Sequence, residues 1–260
     1  MEQVLGKIGR KATGRFNHLL DLLAFTSRIL GFLIGKQREG KILLHRMIVE
    51  QIYFTAVQAL PVIIPIALII GTMMIVQFTQ VSSQYELGKI IVMLIIREFG
   101  PLITALVVIL RSATAVTIET GYMTIGHEME SIEMAGIDPV RFISSPRLIG
   151  ITSAVLCLFV VFDLVAIIGG YAVVWMTTSI PMGNFLGQIS KAITAPDLAV
   201  GIVKGLCFGV AITVASLYRG FTVQNDITFI PVATSRAAVD CLIYCLVINI
   251  VISGAFFYLW

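Results

Sequence analysis

The chain has 260 residues, of which 58% are hydrophobic and only 13% are charged, and its formal net charge is +3. Soluble domains usually carry about 25% charged residues, so this composition excludes an ordinary soluble protein and indicates several membrane-spanning segments. The small net charge and the lack of a mixed basic and aromatic run argue against nucleic-acid binding. The length leaves no room for a large domain outside the membrane.

The first 50 residues hold nine of the 18 Lys and Arg residues. Residues 19–34 mix Leu, Phe and Ile with Asp21 and Arg28, a pattern typical of a helix that lies in the membrane interface. A short soluble amphipathic helix is the alternative. We expect no cleavable signal peptide, because the basic residues are not followed by an unbroken apolar core and a small-residue cleavage site.

Five apolar stretches follow, and each is long enough to cross a bilayer. Pro61 and Pro65 lie early in the first and predict a bend. The second would be about 31 Å long at about 1.5 Å per residue, close to the thickness of a hydrocarbon core. The predicted spans, in chain order, are residues 55–78, 90–110, 148–175, 199–218 and 241–258.

The distribution of Lys and Arg predicts the orientation of these spans. Fourteen lie in the first 50 residues, in the polar segment 111–147 or in the polar loop predicted at 219–240. The opposite side has only three, which are Lys89, Lys191 and Lys204. Under the positive-inside rule, the amino terminus and the 111–147 segment are cytoplasmic and the carboxyl terminus faces outward.

Arg97 and Glu98 lie side by side within the second apolar stretch. Ionisable side chains at bilayer depth cost roughly 2.5–3.5 kcal/mol each on insertion scales, and they mark a substrate path or a polar pocket. Neighbouring residues point about 100° apart on a helix, so we expect each to have its own partner. The alternative to a substrate role is that the two side chains only neutralise each other or a neighbouring helix.

The later spans carry residues for which we expect a packing role. Asp163 and Asn249 should form hydrogen bonds to other helices, and Lys204 should extend outward from the end of its span. A ridge of small residues on the fourth span allows close helix packing, within the chain rather than at a dimer seam. The ridge consists of Gly201, Gly205 and Gly209.

The sequence contains no complete catalytic or metal-binding motif. His127-Glu128 resembles the start of a zinc-protease HExxH motif, but Ser131 replaces the second histidine. No phosphate-binding loop of the form GxxxxGK[ST] occurs, so any ATP must bind another chain. The four cysteines lie in apolar segments, where we expect plain packing. We therefore predict no catalytic residue, metal or cofactor in this chain.

Residues 124–135 have a helical pattern with one acidic face. Glu130, Glu133 and Met134 share that face because they are spaced by three and four residues, and Gly136 suits a C-terminal cap. Such a helix at the cytoplasmic surface suits a protein partner, because Met fills irregular grooves and carboxylates meet basic residues. The alternative is an ordinary solvated helix in a loop.

Two motifs resemble those of a known family. The second span contains Ile96-Arg97-Glu98-Phe99-Gly100-Pro101, and the acidic helix is followed by Ala135-Gly136-Ile137-Asp138-Pro139 after Glu133-Met134. With Arg111-Ser112-Ala113 and Glu119-Thr120-Gly121 between them, these motifs closely resemble the MlaE/YrbE permease family. Its members are the membrane subunits of ABC transporters that act with MCE-domain proteins on lipids. The likeness extends over nearly the whole chain in length, span order and motif spacing.

The resemblance implies an all-α polytopic membrane protein with an N-terminal interfacial helix, five transmembrane helices and a cytoplasmic coupling helix between spans two and three. The whole chain would be one permease domain, cytoplasmic or interfacial over residues 1–50 and transmembrane over 51–260. It would form a homodimer in the bacterial inner membrane, with its carboxyl terminus in the periplasm. An outward-facing cavity would pass phospholipid between the inner and outer membranes.

The resemblance also implies partners. One cytoplasmic ATPase per subunit would bind ATP, and a ring of MCE-domain proteins would lie on the periplasmic side. In related systems a small STAS-domain protein binds the ATPase. The ATPase would dock on the coupling helix, through residues Glu128, Glu130, Glu133, Met134, Ala135 and Gly136.

We expect spans one and two of both subunits to enclose the lipid cavity. Its polar lining would be Arg97, Glu98, Gln77 and Tyr85, with the guanidinium of Arg97 suited to bind a phosphate through paired donors. Two other functions remain as alternatives. One is a membrane scaffold for lipid-transfer proteins without transport of its own, and the other is an intramembrane enzyme that modifies lipid.

Overall fold

The computed structural model describes residues 21, 22, 24–29, 31, 41–81, 93–176, 187, 195–223 and 226–259. Within these residues there is no strand, and five helices are long and apolar enough to cross a membrane, as predicted. In chain order the helices are α1 (Ile42–Gln77), α2 (Ile95–Ile125), the short α3 (Glu128–Met134), α4 (Pro139–Val173), α5 (Ala195–Phe221) and α6 (Ile227–Tyr258).

The described residues between 21 and 31 are helical. The ring of Phe25 packs edge-on against those of Tyr218 and Phe221, with centroid distances of 5.9 Å in both cases. Ile29 is fully buried. This segment therefore packs on the end of α5, and its place in the membrane interface stays a prediction.

The predicted end of the second span at 110 and the predicted start of the third at 148 are wrong, because both helices extend into the polar segment 111–147. α2 continues through Arg111 to Ile125, and α4 begins at Pro139. Arg111 and Arg147, which lie at the predicted span ends, are inside these helices and have partners on neighbouring helices. Arg147 forms an ion pair with Glu119 at 2.9 Å, and it also donates to Thr120. The loop predicted at 219–240 is shortened in the same way, since α5 runs to Phe221 and α6 starts at Ile227.

Local sequence signals define the ends of α3. His127 has a φ of 56°, which turns the chain between α2 and α3, and Gly136 has a φ of 79° just after α3, as its predicted capping role requires. Asp138 then caps α4, because its side chain accepts hydrogen bonds from the backbone N–H groups of Val140 and Arg141 at 3.0 and 3.3 Å.

The glycine ridge of α5 packs against α4, as predicted. A Cβ built at Gly201 would lie 2.5 Å from the ring of Phe159, and one at Gly209 would lie 2.6 Å from the Cα of Thr152. These distances are shorter than any real side chain permits. The ridge therefore serves packing within the chain, and it brings the side chains of α5 close to the core of the bundle.

Burial divides the five long helices into two groups. In their most apolar windows, α2, α4 and α5 are 56%, 50% and 56% buried, whereas α1 is 28% and α6 is 11% buried. The helices α2, α4 and α5 therefore form the core of the bundle. α1 and α6 flank it, and they carry most of the apolar surface that is available to lipid or to a second subunit.

Candidate functional site

The backbone around Arg97 and Glu98 is a π-helical turn, Ile95–Phe99. The N–H of Gly100 donates to the carbonyl of Ile95, five residues back. Pro101 has no N–H, so the carbonyl oxygen of Arg97 lacks the donor that an α-helix would supply. The sequence therefore removes the α-helical donor of a backbone carbonyl at bilayer depth, directly beside two ionisable side chains.

Lys204 on α5 fills this acceptor. Its side chain is fully buried, and its ammonium donates to the carbonyl of Arg97 at 2.7 Å, to Oε1 of Glu98 at 2.9 Å and to Oγ of Ser253 at 2.7 Å. Three donors thus meet three oxygens. The prediction that Lys204 extends outward is wrong. The carboxylate of Glu98 and the carbonyl of Arg97 accept hydrogen bonds from the ammonium, which compensates for its loss of hydration.

Glu98 joins three helices through its two carboxylate oxygens. Oε1 accepts from Lys204 of α5 and from Oγ of Ser253 at 2.8 Å, and Oε2 accepts from Nδ2 of Asn249 at 3.0 Å. Both of the last two residues lie on α6, one helical turn apart. The predicted helix-to-helix hydrogen bond of Asn249 is therefore confirmed. The Glu98 side chain keeps 34% of its surface exposed, so it is the accessible edge of the cluster.

Arg97 has a different set of partners. Its guanidinium lies 3.5 Å from Oδ1 of Asp197 and 4.3 Å above the ring of Phe256. Only 11% of its side chain is exposed. The expectation that Arg97 and Glu98 have separate partners is confirmed. The resulting cluster holds two cations and two carboxylates, and its formal charges balance.

The structure places the other predicted lining residues differently. Gln77 is exposed near the end of α1, and that half of α1 packs mainly on α4 rather than on the turn that carries Arg97. Tyr85 lies outside the described residues. The predicted cavity lining of these four residues therefore stays a prediction.

Sequence reasoning missed four members of the cluster, which are Lys204, Asp197, Asn249 and Ser253 as partners of the Arg97-Glu98 pair. One signal was available, because a proline four residues after Arg97 removes the α-helical donor of its carbonyl. The identity of the replacement donor depends on which face of α5 meets α2, and no local pattern contains that information.

Asp163 lies near this cluster on α4 and is 8% exposed. A Cβ built at Gly100 would lie 2.4 Å from its Oδ1, so the carboxyl packs directly on the α2 backbone. Among the described residues Oδ1 finds no hydrogen-bond partner. The hydrogen bond to another helix that we expected from Asp163 is therefore absent at this oxygen.

The short helix α3 presents a second candidate site at the opposite end of α2. All six residues predicted for docking are described, and each of them is exposed: Glu128, Glu130, Glu133, Met134, Ala135 and Gly136. Met134 is 83% exposed, while Met129 and Ile132 of the same helix pack toward the core. The helix therefore has one apolar face against the bundle and one acidic, Met-bearing face directed away from it.

Comparison with known proteins covers almost all of this structure. The family model described as Permease MlaE matches residues 48–255, from within α1 to within α6. The intermembrane phospholipid transport system permease protein MlaE of Haemophilus influenzae is 27% identical over 234 residues, which are 88% of this chain and 89% of that protein.

Two further relatives come from different lineages. A probable ABC transporter permease protein of Rickettsia prowazekii is 24% identical over 215 residues, 81% of this chain and 83% of its own length. The chloroplastic protein TRIGALACTOSYLDIACYLGLYCEROL 1 of Arabidopsis thaliana is 24% identical over 234 residues, 88% of this chain and 66% of its own.

Proposed function

Because the chain belongs to the MlaE permease family, we propose that it is the membrane-spanning subunit of an ABC transporter that moves phospholipid between the inner and outer membranes. The observation that carries this proposal is the family match over residues 48–255, which includes both the Arg97-Glu98 turn and α3. The Haemophilus influenzae relative is named for intermembrane phospholipid transport. ATP would be hydrolysed by a separate subunit.

The exposed face of α3 supports the second part of the proposal, that a cytoplasmic ATPase docks there. Three carboxylates and an exposed methionine form a surface that suits a groove with basic residues. The opposite face of α3 packs on the bundle, so movement of the docked subunit would be passed directly to α2 and α4.

Low burial of α1 and α6 supports a homodimer, because a second copy of the chain would cover apolar surface that the monomer leaves open. We propose an MCE-domain ring on the periplasmic side, a STAS-domain protein on the ATPase, and an inner-membrane location with a cytoplasmic amino terminus. The last of these follows from the distribution of Lys and Arg.

For the lipid itself we propose a cavity lined by Arg97, Glu98, Gln77 and Tyr85. The Arg97 to Asp197 contact is long at 3.5 Å, so a phosphate with its paired acceptors would compete for the guanidinium. The partly exposed carboxylate of Glu98 suits a cationic or hydrogen-bonding group of the same headgroup. Binding would then draw on groups that already hold the helices together.

Reconstitution tests the proposal. The chain and its ATPase are copurified, placed in liposomes, and assayed for ATP-dependent transfer of a labelled phospholipid to acceptor vesicles carrying the MCE-domain partner. We expect transfer only with ATP. Transfer that is absent with every component present would contradict the transport function and favour a scaffold, and transfer without any ATPase would contradict the ATP-driven mechanism.

Docking on α3 has its own test. The double variant Glu133→Ala/Met134→Ala should weaken binding of the ATPase by roughly tenfold or more, because truncating central contact residues typically costs at least one factor of ten. Glu50→Gln is the matched control, since Glu50 is also an exposed carboxylate but lies on α1 and pairs with Arg46. Equal retention of the ATPase by both variants would place the docking surface elsewhere.

A further inference from the structure

α1 is divided into two halves. The first is the α-helix Lys41–Thr55 and the second is the α-helix Leu60–Val81. A single 3-10 turn, Val57–Ala59, joins them. Because a 3-10 turn has fewer and poorer hydrogen bonds than an α-helix, it is the natural point at which the two halves change their mutual angle.

Each half is anchored on a different part of α4. In the first half, a Cβ built at Gly150 would lie 2.7 Å from the side chain of Gln51. In the second half, a Cβ built at Gly71 would lie 2.0 Å from the carbonyl oxygen of Ala166. Ala166 belongs to a π-helical turn near the end of α4. The two anchors therefore sit on either side of the joint in α1 and leave the joint itself without a glycine contact.

A backbone carbonyl at the joint lacks the donor that a continued 3-10 turn would supply. A continued 3-10 turn would direct the N–H of residue 61 at the carbonyl of Gln58, but residue 61 is proline and has no N–H. Arg111 of α2 reaches this position. Its Nη1 donates to the carbonyl oxygen of Gln58, and its Nη2 donates to Oε1 of the same residue at 2.5 Å.

Arg111 also contacts the first half of α1. Its guanidinium lies 5.2 Å from the ring centroid of Phe54, which is one helical turn before Gln58. Arg111 itself lies in a π-helical turn of α2, Ile109–Ala113. Its partners among the described residues are neutral oxygens and an aromatic ring, so the side chain bridges the joint by directed hydrogen bonds rather than by an ion pair.

We propose that Arg111 is a positioning residue that fixes the angle between the two halves of α1. The inference rests on the proposed function in one respect: the half of α1 beyond the joint would line the lipid path, so its angle would control transport. The planar fork of arginine matches the two oxygens of Gln58, whereas lysine offers one point charge. Arg111→Lys should therefore hold the joint less well, although it keeps the charge.

A distance measurement tests the positioning role of Arg111 directly, without a transport assay. Spin labels are placed at Ile69 on the second half of α1 and at Leu206 on α5, both exposed, in a background without native cysteines. In the full-length protein in nanodiscs, we expect Arg111→Gln to broaden and shift the distance distribution, and Arg111→Lys to lie between. Arg236→Gln, an exposed arginine on α6, is the matched control and should change nothing. An unchanged distribution in Arg111→Gln overturns the proposal.

A second pair of variants covers the case in which Arg111→Gln does not fold. Gln58→Glu keeps an acceptor and adds a counter-charge, so it should give a distribution at least as narrow as that of the unsubstituted protein. Gln58→Ala removes the side-chain acceptor and should give a broader one. Identical distance distributions for these two variants would contradict the positioning role of Arg111.

Transport then shows whether the angle matters for function. In the complex with the ATPase, we expect Arg111→Gln to lower phospholipid transfer by roughly tenfold or more, because it removes both charge-assisted hydrogen bonds to Gln58 and one such bond alone corresponds to about that factor. ATP hydrolysis should fall much less, whereas a merely structural role would lower both through loss of folded protein. If the unsubstituted complex moves no phospholipid, the proposed function fails. The distance distributions still test the positioning role of Arg111 in that case.

Discussion

At two places in this bundle a cation from a neighbouring helix donates to a backbone carbonyl close to a proline, and the two sites differ in their other contacts. At Arg97 the donor is Lys204, which is fully buried, meets three oxygens on two other helices and has Glu98 as a counter-charge. At Gln58 the donor is Arg111, which is partly exposed and serves two oxygens of one residue.

The difference shows how side-chain chemistry decides what a backbone defect becomes. An ammonium has three donors that point apart, so it joins several helices and its site cannot open without leaving a buried charge unpaired. A guanidinium has a flat fork, so it holds one residue at a defined angle. The Lys204 site should therefore hold the core helices together, and the Arg111 site should fix the angle between the two halves of α1.

The largest effect is expected when the ion pair between Lys204 and Glu98 is removed. Glu98→Gln removes the counter-charge and leaves the Lys204 ammonium buried without it, which should lower the free energy of unfolding by about 3–5 kcal/mol. The measurement is unfolding of the purified protein in detergent. Arg111→Gln should cost far less in the same measurement, because its site is partly exposed and contains no ion pair. Equal losses for the two variants would show that the two sites do not differ as argued.

A double variant separates the structural role of Glu98 from a role in lipid binding. Glu98→Gln/Lys204→Met removes both charges together, so most of the lost stability should return. If Glu98 also contacts the lipid headgroup, phospholipid transfer should stay low in this restored protein. Transfer that recovers together with stability would limit Glu98 to holding the helices and remove it from the proposed lining.

The next effect tests how Lys204 reaches its acceptor. Gly201 lies one turn before Lys204, and a Cβ there would lie 2.5 Å from Phe159 and 3.3 Å from the carbonyl of Ile96. Gly201→Ala should therefore push α5 away from α2 and α4 and cost about 1–3 kcal/mol of stability. The contacts of Arg111 with Gln58 join α1 and α2, so this substitution should leave them in place.

Gly254→Ala is the control for that substitution. Gly254 is also in a long helix, α6, but a Cβ built there meets nothing within 4 Å. Alanine should be neutral or stabilising there by up to about 1 kcal/mol, because it has the higher helix propensity. A comparable loss of stability in both variants would mean that close packing of α5 does not control the Lys204 site.

The comparison of these sites also shows what a sequence can and cannot predict. Composition predicted five apolar helices, and the angle between neighbours on a helix predicted separate partners for Arg97 and Glu98. The ends of α2 and α4 were predicted wrongly because Arg111 and Arg147 look like loop residues. Their charges are satisfied by Gln58, Glu119 and Thr120, which only the packed helices bring close.

Lys204 illustrates the same limit at the candidate site. A lysine near the end of a predicted span normally extends to the interface. Pro101 shows from the sequence alone that the carbonyl of Arg97 lacks its α-helical donor. The side-chain donors to the carbonyls of Arg97 and Gln58 both come from residues at least 50 positions away. Acceptors are local features, and the donors that fill them are set by how the helices pack.

The smallest expected loss of stability is at the contact between Arg111 and Gln58. Gln58→Ala removes one of the two oxygens that Arg111 serves but leaves the main-chain carbonyl, so unfolding should become easier by only about 0.5–1.5 kcal/mol. Thermal unfolding of the purified protein measures this, with Arg236→Gln as the control. A loss as large as that of Glu98→Gln would mean that Arg111 stabilises the fold as much as Lys204 does. If Arg111 mainly fixes the angle of α1, the loss of stability should be small and the α1 distance distribution should broaden.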